Sequence, residues 1–142
     1  MIYLDTGCFV KLYYPEPDSA KVVALIQGKP LCHTPLHELE FVNALQLKVF
    51  SSTATAAQVT AARALIQSDL KAGVLVYPAG EWKDIFVEAV KLAEQHTSTI
   101  GCRSLDILHC AAAKVLAAGE FVTTDARQRK LAAAMGLNLV TF

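Results

Sequence analysis

The sequence predicts an α/β fold in which a parallel sheet of about five short strands is covered by helices on both faces. Three observations support this prediction. Short apolar runs alternate with longer segments of helical periodicity along the 142 residues. The runs are apolar throughout, as in strands buried on both faces. No repeat, linker or change in composition divides the chain, so we expect a single domain over residues 1–142.

The first half of the chain predicts two strands and four helices. Ile2 to Leu4 is an apolar run that ends at Asp5, and it predicts the first strand. Thr34 and Pro35 form a strong helix start, with a capping hydroxyl followed by proline at the first helical position. This helix is expected to run through Phe50. The other helices are predicted at Phe9 to Tyr14, from Asp18 or Ser19 to Gly28, and from Thr53 or Thr55 to near Gly73. The second strand is predicted at Leu31 to His33.

The second half predicts three strands and three helices. Val74 to Tyr77 is a strand of bulky residues stopped by Pro78, and Glu81 to about His96 is an amphipathic helix. Ser104 is expected to cap a helix that runs to Ala118, with Gly119 as its stop. The last elements are a strand at Phe121 to Thr123, a helix capped by Thr124 or Asp125 through Met135, and a strand at Leu139 to Phe142.

The charges of the chain balance, with 13 basic and 13 acidic residues. A strongly basic domain would indicate nucleic-acid binding by electrostatics alone, and this chain lacks that signal. It would have to bind nucleic acid locally or through cations. No uncharged apolar run approaches the 18 or so residues of a membrane span. The first residues do not resemble a secretory signal, so we expect a cytoplasmic protein.

The four cysteines are not spaced as metal or redox motifs. In a cytoplasmic protein we expect them to be reduced and mostly buried. A zinc site is the alternative, and its ligands would come from Cys32, His33, Cys102, His109 and Cys110.

Four acidic residues occupy unusual positions in the predicted fold. Asp5 and Asp125 each follow a strand directly, and ligands of open α/β sheets bind beyond the carboxyl ends of strands. Asp106 lies in the first turn of a helix, two residues after Ser104. Glu40 lies within an apolar helical segment, where a charge is costly unless it is paired or binds a cation.

Carboxylates gathered in one cleft repel each other, and a hard divalent cation relieves that repulsion. Oxygen ligands favour Mg²⁺ or Mn²⁺ over zinc. Each acid also has an ordinary structural interpretation, and these interpretations stay open. Asp125 could be only an N-cap, Asp106 could interact with the helix dipole, and Asp5 could lie in a turn. Glu40 could be exposed or paired with Lys11 or Lys48, and Glu38 is its rival as the functional acid.

The segments that carry these acids resemble the motifs of the PIN domain family, and in particular the VapC-type ribonuclease toxins of toxin–antitoxin pairs. The resemblance covers nearly the whole chain. It rests on Ile2-Tyr3-Leu4-Asp5-Thr6, Pro35 to Leu45 with Glu40, Arg103-Ser104-Leu105-Asp106-Ile107-Leu108-His109, and Val122-Thr123-Thr124-Asp125 followed by Arg127 and Leu131.

The resemblance implies a divalent-metal-dependent endoribonuclease that hydrolyses RNA phosphodiester bonds. It implies a cognate antitoxin as partner and is compatible with a homodimer. Asp5, Glu40, Asp106 and Asp125 are then the catalytic and metal-binding residues, with Mg²⁺ or Mn²⁺ as cofactor. Arginine matches phosphate geometry, so the candidate substrate-binding residues are Arg103 and Arg127, with Thr6, Ser104 and Thr123, and Arg129 as a further phosphate contact.

Gly7 departs from the family pattern, because PIN domains usually have Ser or Asn two residues after the first aspartate. This residue favours an alternative function, a catalytically weak PIN-like module that binds RNA or protein. A third hypothesis, a phosphoacceptor domain, lacks adjacent acids near the first strand.

His109 is interpreted as a core histidine or as a partner of Asp106. If the acids repel, Asp106→Asn should stabilise the metal-free protein.

Overall fold

Five short parallel strands form the centre of the fold in the computed structural model, which describes all 142 residues. The strands are β1 (Ile2–Leu4), β2 (Leu31–Cys32), β3 (Leu75–Val76), β4 (Glu120–Val122) and β5 (Leu139–Val140), in the spatial order β3-β2-β1-β4-β5. The helices are α1 (Thr6–Tyr13), α2 (Ser19–Ile26), α3 (Pro35–Phe50), α4 (Ala56–Ala72), α5 (Trp82–Ile100), α6 (Ser104–Val115) and α7 (Ala126–Ala134).

Helices cover both faces of this sheet, which confirms the predicted architecture. Side chains of β1 alternate between two buried layers, because successive residues of a strand point to opposite faces. Ile2 and Leu4 pack in the layer formed with α1 to α4, whereas Tyr3 packs in the layer formed with α5 to α7. The central strand is therefore apolar throughout, as the sequence predicts.

Local capping explains where α3 and α4 begin and where α4 ends. The Thr34 hydroxyl accepts a hydrogen bond from the backbone N–H of His37, and Pro35 is the first residue of α3. Thr55 caps α4 in the same way. Gly73 follows α4 with φ of 73°, a left-handed conformation that glycine adopts without steric cost.

Two helix starts differ from the sequence prediction. Helix α1 begins at Thr6 rather than Phe9, because the Asp5 carboxylate accepts a hydrogen bond from the backbone N–H of Cys8 at 2.7 Å and caps the helix there. In α6, Ser104 is the first helical residue and not the cap. The carboxylate of Asp106 accepts a hydrogen bond from the preceding Arg103 N–H instead.

The order of the strands positions the site. The chain passes from β1 to β2 on one side, and β4 lies on the other side of β1, with Leu4 beside Val122 in register. Such a switch in strand order opens a crevice at the carboxyl ends of the strands. Asp5 and Thr123 follow β1 and β4 directly, so they emerge side by side at this crevice. None of the helices is long and apolar enough to cross a membrane.

Candidate active site

Asp5 is the most enclosed of the four acids that the sequence singles out. It lies between β1 and α1 and is only 4% exposed. Its Oδ1 accepts the hydrogen bond from Cys8 N–H, and its Oδ2 accepts one from the hydroxyl of Thr123. Both oxygens of Asp5 therefore already hold a neutral donor, which fixes the orientation of the carboxylate at the centre of the crevice.

Thr123 joins Asp5 to Asp125. While its hydroxyl donates to Asp5, its oxygen accepts a hydrogen bond from the backbone N–H of Asp125 at 2.9 Å. Thr123 is completely buried, and its hydroxyl links the two carboxylates. Its assignment as a substrate-binding residue stays a prediction.

Asp125 caps helix α7, so its structural interpretation holds. Its Oδ1 accepts hydrogen bonds from the backbone N–H groups of Arg127 and Gln128 at 2.8 and 3.0 Å. Its Oδ2 lies 3.8 Å from Nη2 of Arg103 and 3.9 Å from Nη2 of Arg127. One oxygen of Asp125 thus accepts the hydrogen bonds that cap α7, and the other faces two guanidinium groups.

Asp106 is buried, and positive groups surround it. Its Oδ2 accepts hydrogen bonds from the backbone N–H of Arg103 at 3.1 Å and from Nε of the same residue at 3.3 Å, and Nε of Arg127 lies 3.6 Å away. Its Oδ1 receives one long hydrogen bond, from Gln128 at 3.4 Å. Burial by itself would raise the pKa of Asp106, but these hydrogen bonds and the Arg103 charge outweigh it and lower the pKa.

Glu40 differs from the other acids, because all its hydrogen bonds go to one oxygen. Its Oε2 lies 2.6 Å from Nε2 of His109 and accepts a hydrogen bond from the Thr6 hydroxyl at 2.7 Å. No protein group bonds to Oε1. Burial opposes ionisation, but the interactions with His109 and Thr6 lower the pKa of Glu40, and the negative charge of Asp106 acts in the opposite direction.

These electrostatic couplings indicate that the acids share one region. Burial raises the pKa of the Cys110 thiol, and the charges of Asp106, Asp5 and Asp125 raise it further. The charges of these three carboxylates therefore act on the same buried thiol, and the charge of Asp106 acts on Glu40. Thr123 bonds to both Asp5 and Asp125, and Arg103 lies beside both Asp106 and Asp125. The convergence of all four acids on one ion stays a prediction.

The donor set fits a hydrated hard ion better than a closed metal cage. No three Asp, Glu, His or Cys side chains are close enough to enclose an ion, and this holds for the cysteines and histidines of the zinc alternative. Mg²⁺ in proteins commonly keeps several waters and binds through one or two carboxylates. Oε1 of Glu40 is free and Oδ1 of Asp106 holds only one long hydrogen bond, so these oxygens suit such an ion.

The other predicted substrate contacts divide into available and occupied groups. The side chains of Arg103 and Arg127 are 65% and 41% exposed, so their guanidinium groups reach solvent. Ser104 is exposed and Thr6 is half-buried beside Glu40. Arg129 instead donates its Nε–H to the backbone carbonyl of Thr123 at 3.0 Å, so this nitrogen is occupied within the protein.

Lys11 and Lys48, the two lysines that the sequence offers as partners of Glu40, form ion pairs with Glu16 instead. Lys11 and Lys48 lie 3.2 and 2.6 Å from the two oxygens of Glu16. Their charges lower the pKa of Glu16 against the effect of burial. The sequence places Glu16 in a solvated turn, and its pairing was missed because the turn packs back onto α3. Glu40 is thus left without a lysine.

Sequence reasoning missed Gln128 and Tyr3. Gln128 is buried and bonds to Asp106, and its only signal is its position three residues after the Asp125 cap. The Tyr3 hydroxyl lies 3.0 Å from Nδ1 of His109. His109 itself combines both interpretations, since it is 2% exposed within the core but bonds to Glu40 rather than to Asp106.

An open groove of about 660 Å³ leads to Glu40 along α1 and α3. Its lining includes Gly7, Asn43, Leu47 and Leu105. A Cβ atom added at Gly7 would lie 3.5 Å from Oδ1 of Asp5, an ordinary contact distance. The groove therefore has room for the Ser or Asn that PIN domains usually carry at this position.

Comparison with known proteins identifies the family. Residues 2–134 match the PIN domain. The chain belongs to the PIN domain family. Its structure is similar to the crystal structure of FitAcB from Neisseria gonorrhoeae, with a TM-score of 0.61 and 16% sequence identity over 99% of this chain and 97% of that chain. A search of curated proteins finds no match. PIN domains are generally nucleases, which makes this chain a member of a nucleic-acid hydrolase family.

Proposed function

We propose that this PIN domain protein is a divalent-metal-dependent endoribonuclease that hydrolyses RNA phosphodiester bonds. The observation that carries the proposal is the state of Glu40. One of its oxygens holds two hydrogen bonds and the other has no hydrogen-bond partner in the protein. Glu40 lines an open groove, and its charge is coupled to that of buried Asp106. A carboxylate held in this way offers a fixed oxygen ligand at a place that RNA can reach.

We assign the metal ligands to Glu40 and Asp106, with Asp5 and Asp125 acting directly or through water. A divalent ion bound there would activate water and stabilise charge on the scissile phosphate. The carboxylates of this chain keep the negative charge that attracts the ion. Asp5 is kept in position by Cys8 and Thr123, so it can orient a water without moving.

The arginines are proposed to bind the substrate backbone. Arg103 and Arg127 contact the oxygens of Asp106 and Asp125 and remain partly exposed, so a phosphate beside the acids would meet both guanidinium groups. Thr6, which bonds to Glu40, and the exposed Ser104 at the start of α6 are assigned to substrate positioning. This local positive charge gives a balanced chain a place to bind RNA.

The cellular role that we propose is that of a VapC-type toxin, neutralised by an antitoxin and active as a homodimer in the cytoplasm. Several large apolar side chains along and beside the groove are exposed, which suits a covering protein partner: Leu39, Leu47, Phe50 and Leu105. The four cysteines are unpaired, as expected in a reducing compartment.

The first experiment measures cleavage of purified total RNA with Mn²⁺, with Mg²⁺ and with chelator. We expect discrete metal-dependent products from the wild type and at least a roughly hundredfold lower rate from Glu40→Gln. Glu38→Gln is the matched control, because Glu38 lies two residues away on α3 and is exposed. Its rate should stay within twofold or so of the wild type.

Equal rates for Glu40→Gln and the wild type would overturn this assignment. The second candidate function is a binding module without catalysis, favoured by Gly7 and by the arginines that already neutralise Asp106 and Asp125. Calorimetry with Mn²⁺ separates the two, since a binding module has no requirement for a divalent ion. Absence of Mn²⁺ binding together with absence of cleavage would favour the module.

A further inference from the structure

We propose that Tyr3 and His109 are positioning residues that hold the Glu40 carboxylate in one orientation. This inference rests on the proposed function and deepens it by assigning how the free oxygen of Glu40 is presented to a cation. Its basis is a continuous chain of hydrogen bonds, from the Tyr3 hydroxyl to Nδ1 of His109 at 3.0 Å and from Nε2 of His109 to Oε2 of Glu40 at 2.6 Å.

The tyrosine determines which nitrogen of the histidine carries the proton. Tyr3 is completely buried, and Nδ1 of His109 lies 3.0 Å from its hydroxyl. A buried hydroxyl donates wherever an acceptor is available, so Nδ1 accepts and Nε2 carries the hydrogen. The other tautomer would direct the lone pair of Nε2 at the Glu40 carboxylate, and two acceptors would face each other at 2.6 Å.

The Nε2–H group then selects one oxygen of Glu40. His109 and the Thr6 hydroxyl both bond to Oε2, at 2.6 and 2.7 Å, while Oε1 has no partner in the protein. Two donors on the same oxygen prevent rotation of the carboxylate. The free oxygen is therefore fixed before any ligand binds, so that binding does not have to order this side chain.

The same chain connects the elements that carry the acids. Tyr3 is on β1, two residues before Asp5, and His109 is on α6, three residues after Asp106. Glu40 is on α3. A shift of any one of these elements would stretch a hydrogen bond of the Tyr3–His109–Glu40 chain, so the chain sets the spacing of three of the four acids.

His37 shows what a purely structural histidine looks like in this protein. Its Nδ1 accepts a hydrogen bond from the backbone N–H of Thr34, and its Nε2 donates to the backbone carbonyl of Leu4 at 2.7 Å. It contacts no carboxylate. His109 is equally buried, but both its ring nitrogens bond to side chains, and one of these is the acid exposed to the groove.

The first test uses ¹⁵N NMR of the histidine rings in the metal-free protein at one pH above neutrality. We expect His109 of the wild type to be entirely in the Nε2–H form. Tyr3→Phe removes only the hydroxyl and should give a measurable fraction of the Nδ1–H form. His37, whose Nε2 donates to the Leu4 carbonyl, serves as the internal control and should keep its Nε2–H form. A His109 signal that is identical in Tyr3→Phe and wild type would overturn the inference.

The second test measures Mn²⁺ affinity by calorimetry in a double-mutant cycle. We expect His109→Leu to weaken binding by about 10- to 100-fold and Tyr3→Phe by a few-fold. Because Tyr3 acts through His109, Tyr3→Phe should have no further effect in the His109→Leu background. His109→Gln, which retains an N–H donor, should recover part of the affinity. A merely structural role would instead give additive losses without rescue.

Thermal melting and circular dichroism show whether each variant is folded. If His109→Leu does not fold, Tyr3→Phe and His109→Gln still decide the question. Failure of the inference and failure of the proposed function give different results. Wild-type affinity in Tyr3→Phe together with lost binding in Glu40→Gln would overturn the positioning role only. A wild type that cleaves no RNA but has the tautomer fixed by Tyr3 would overturn the nuclease assignment only.

Discussion

The two halves of the acid cluster are stabilised by different kinds of partner. Asp106 and Asp125 lie against Arg103 and Arg127, so positive charge from the chain itself already balances them. Glu40 and Asp5 have only hydroxyl, amide and imidazole partners: Thr6, Thr123, the Cys8 N–H and His109. One half carries its own counter-charge and the other is held by hydrogen bonds.

This difference indicates which acids should contribute most to cation binding. The arginines already neutralise the charges of Asp106 and Asp125, so a divalent ion would have to compete with the arginines there. The half with Glu40 and Asp5 has no arginine or lysine beside it, and it also contains the free oxygen of Glu40. We therefore expect metal binding to depend most on Glu40, and structural stability to depend most on Asp106.

The largest expected effect is the difference between Glu40→Gln and Asp125→Asn in Mn²⁺ affinity. Glu40→Gln should weaken binding by about a hundredfold or more, whereas Asp125→Asn should weaken it by about tenfold at most. Asparagine still caps α7 as aspartate does, so the two amides are matched. Calorimetry of both variants measures the ratio. Equal losses would mean that the two halves do not differ.

The second effect concerns stability in the presence of chelator. Asp106→Asn removes a buried charge that accepts hydrogen bonds from Arg103, so the free energy of unfolding should fall by about 1.5–3 kcal/mol. From the sequence we expect Asp106→Asn to increase stability, because that argument considers repulsion among the carboxylates but not the attraction between Asp106 and the arginines. Urea denaturation at neutral pH measures the change, and an increase in stability would restore the repulsion argument.

The pH dependence of this stability follows from the lowered pKa of Asp106. Its folded-state pKa lies below its unfolded value, so the unfolded state binds the proton more readily. The contribution is complete above the unfolded pKa of about 3.9 and is lost as the pH falls through the folded pKa. The difference in stability between wild type and Asp106→Asn should therefore shrink below about pH 4.

A smaller effect is expected from Arg127→Gln. Removing a partly exposed positive charge beside Asp106 and Asp125 should tighten Mn²⁺ binding by up to about fivefold, because such ion pairs contribute about 1 kcal/mol or less. RNA affinity should fall at the same time, since a phosphate contact is lost. Calorimetry and filter binding measure the two changes. A decrease in Mn²⁺ affinity would argue against competition between arginine and metal.

The smallest effect is expected at Gly7. Gly7→Ser should raise Mn²⁺ affinity a few-fold, because its hydroxyl would lie beside Asp5 and could hold a metal-bound water. Gly7→Ala is the matched control, since both substitutions add a Cβ and raise helix stability by less than about 1 kcal/mol. A gain shared by Ser and Ala would trace to the helix and not to the hydroxyl.

Sequence reasoning predicted the fold well, because short apolar strands and capping residues are local signals. Asp5 following Ile2 to Leu4 and Thr34 before Pro35 each determine their elements within a few residues. The convergence of Asp5 with Asp125 also followed, since neighbouring parallel strands end at the same edge. The sequence did not reveal which strands are neighbours, and here β1 lies beside β4.

The partners of the acids could not be predicted from sequence. Glu40 and His109 are 69 residues apart, and Tyr3 and His109 are 106 residues apart. Such pairs depend on how α3 and α6 pack across the sheet, and no local pattern encodes that packing. For the same reason the sequence left a pairing of Glu40 with Lys11 or Lys48 open, whereas both lysines reach Glu16.

The burial of the Cys110 thiol, on which the charges of Asp5, Asp106 and Asp125 act, has a consequence for ion selectivity. Soft ions such as cadmium and zinc bind thiolates, and a thiol held protonated by burial and surrounding negative charge is not available to them. Cys8 is buried and kept protonated in the same way next to Asp5. Burial therefore disfavours the thiolate form of both cysteines, which favours hard, oxygen-binding ions over soft ions at this crevice.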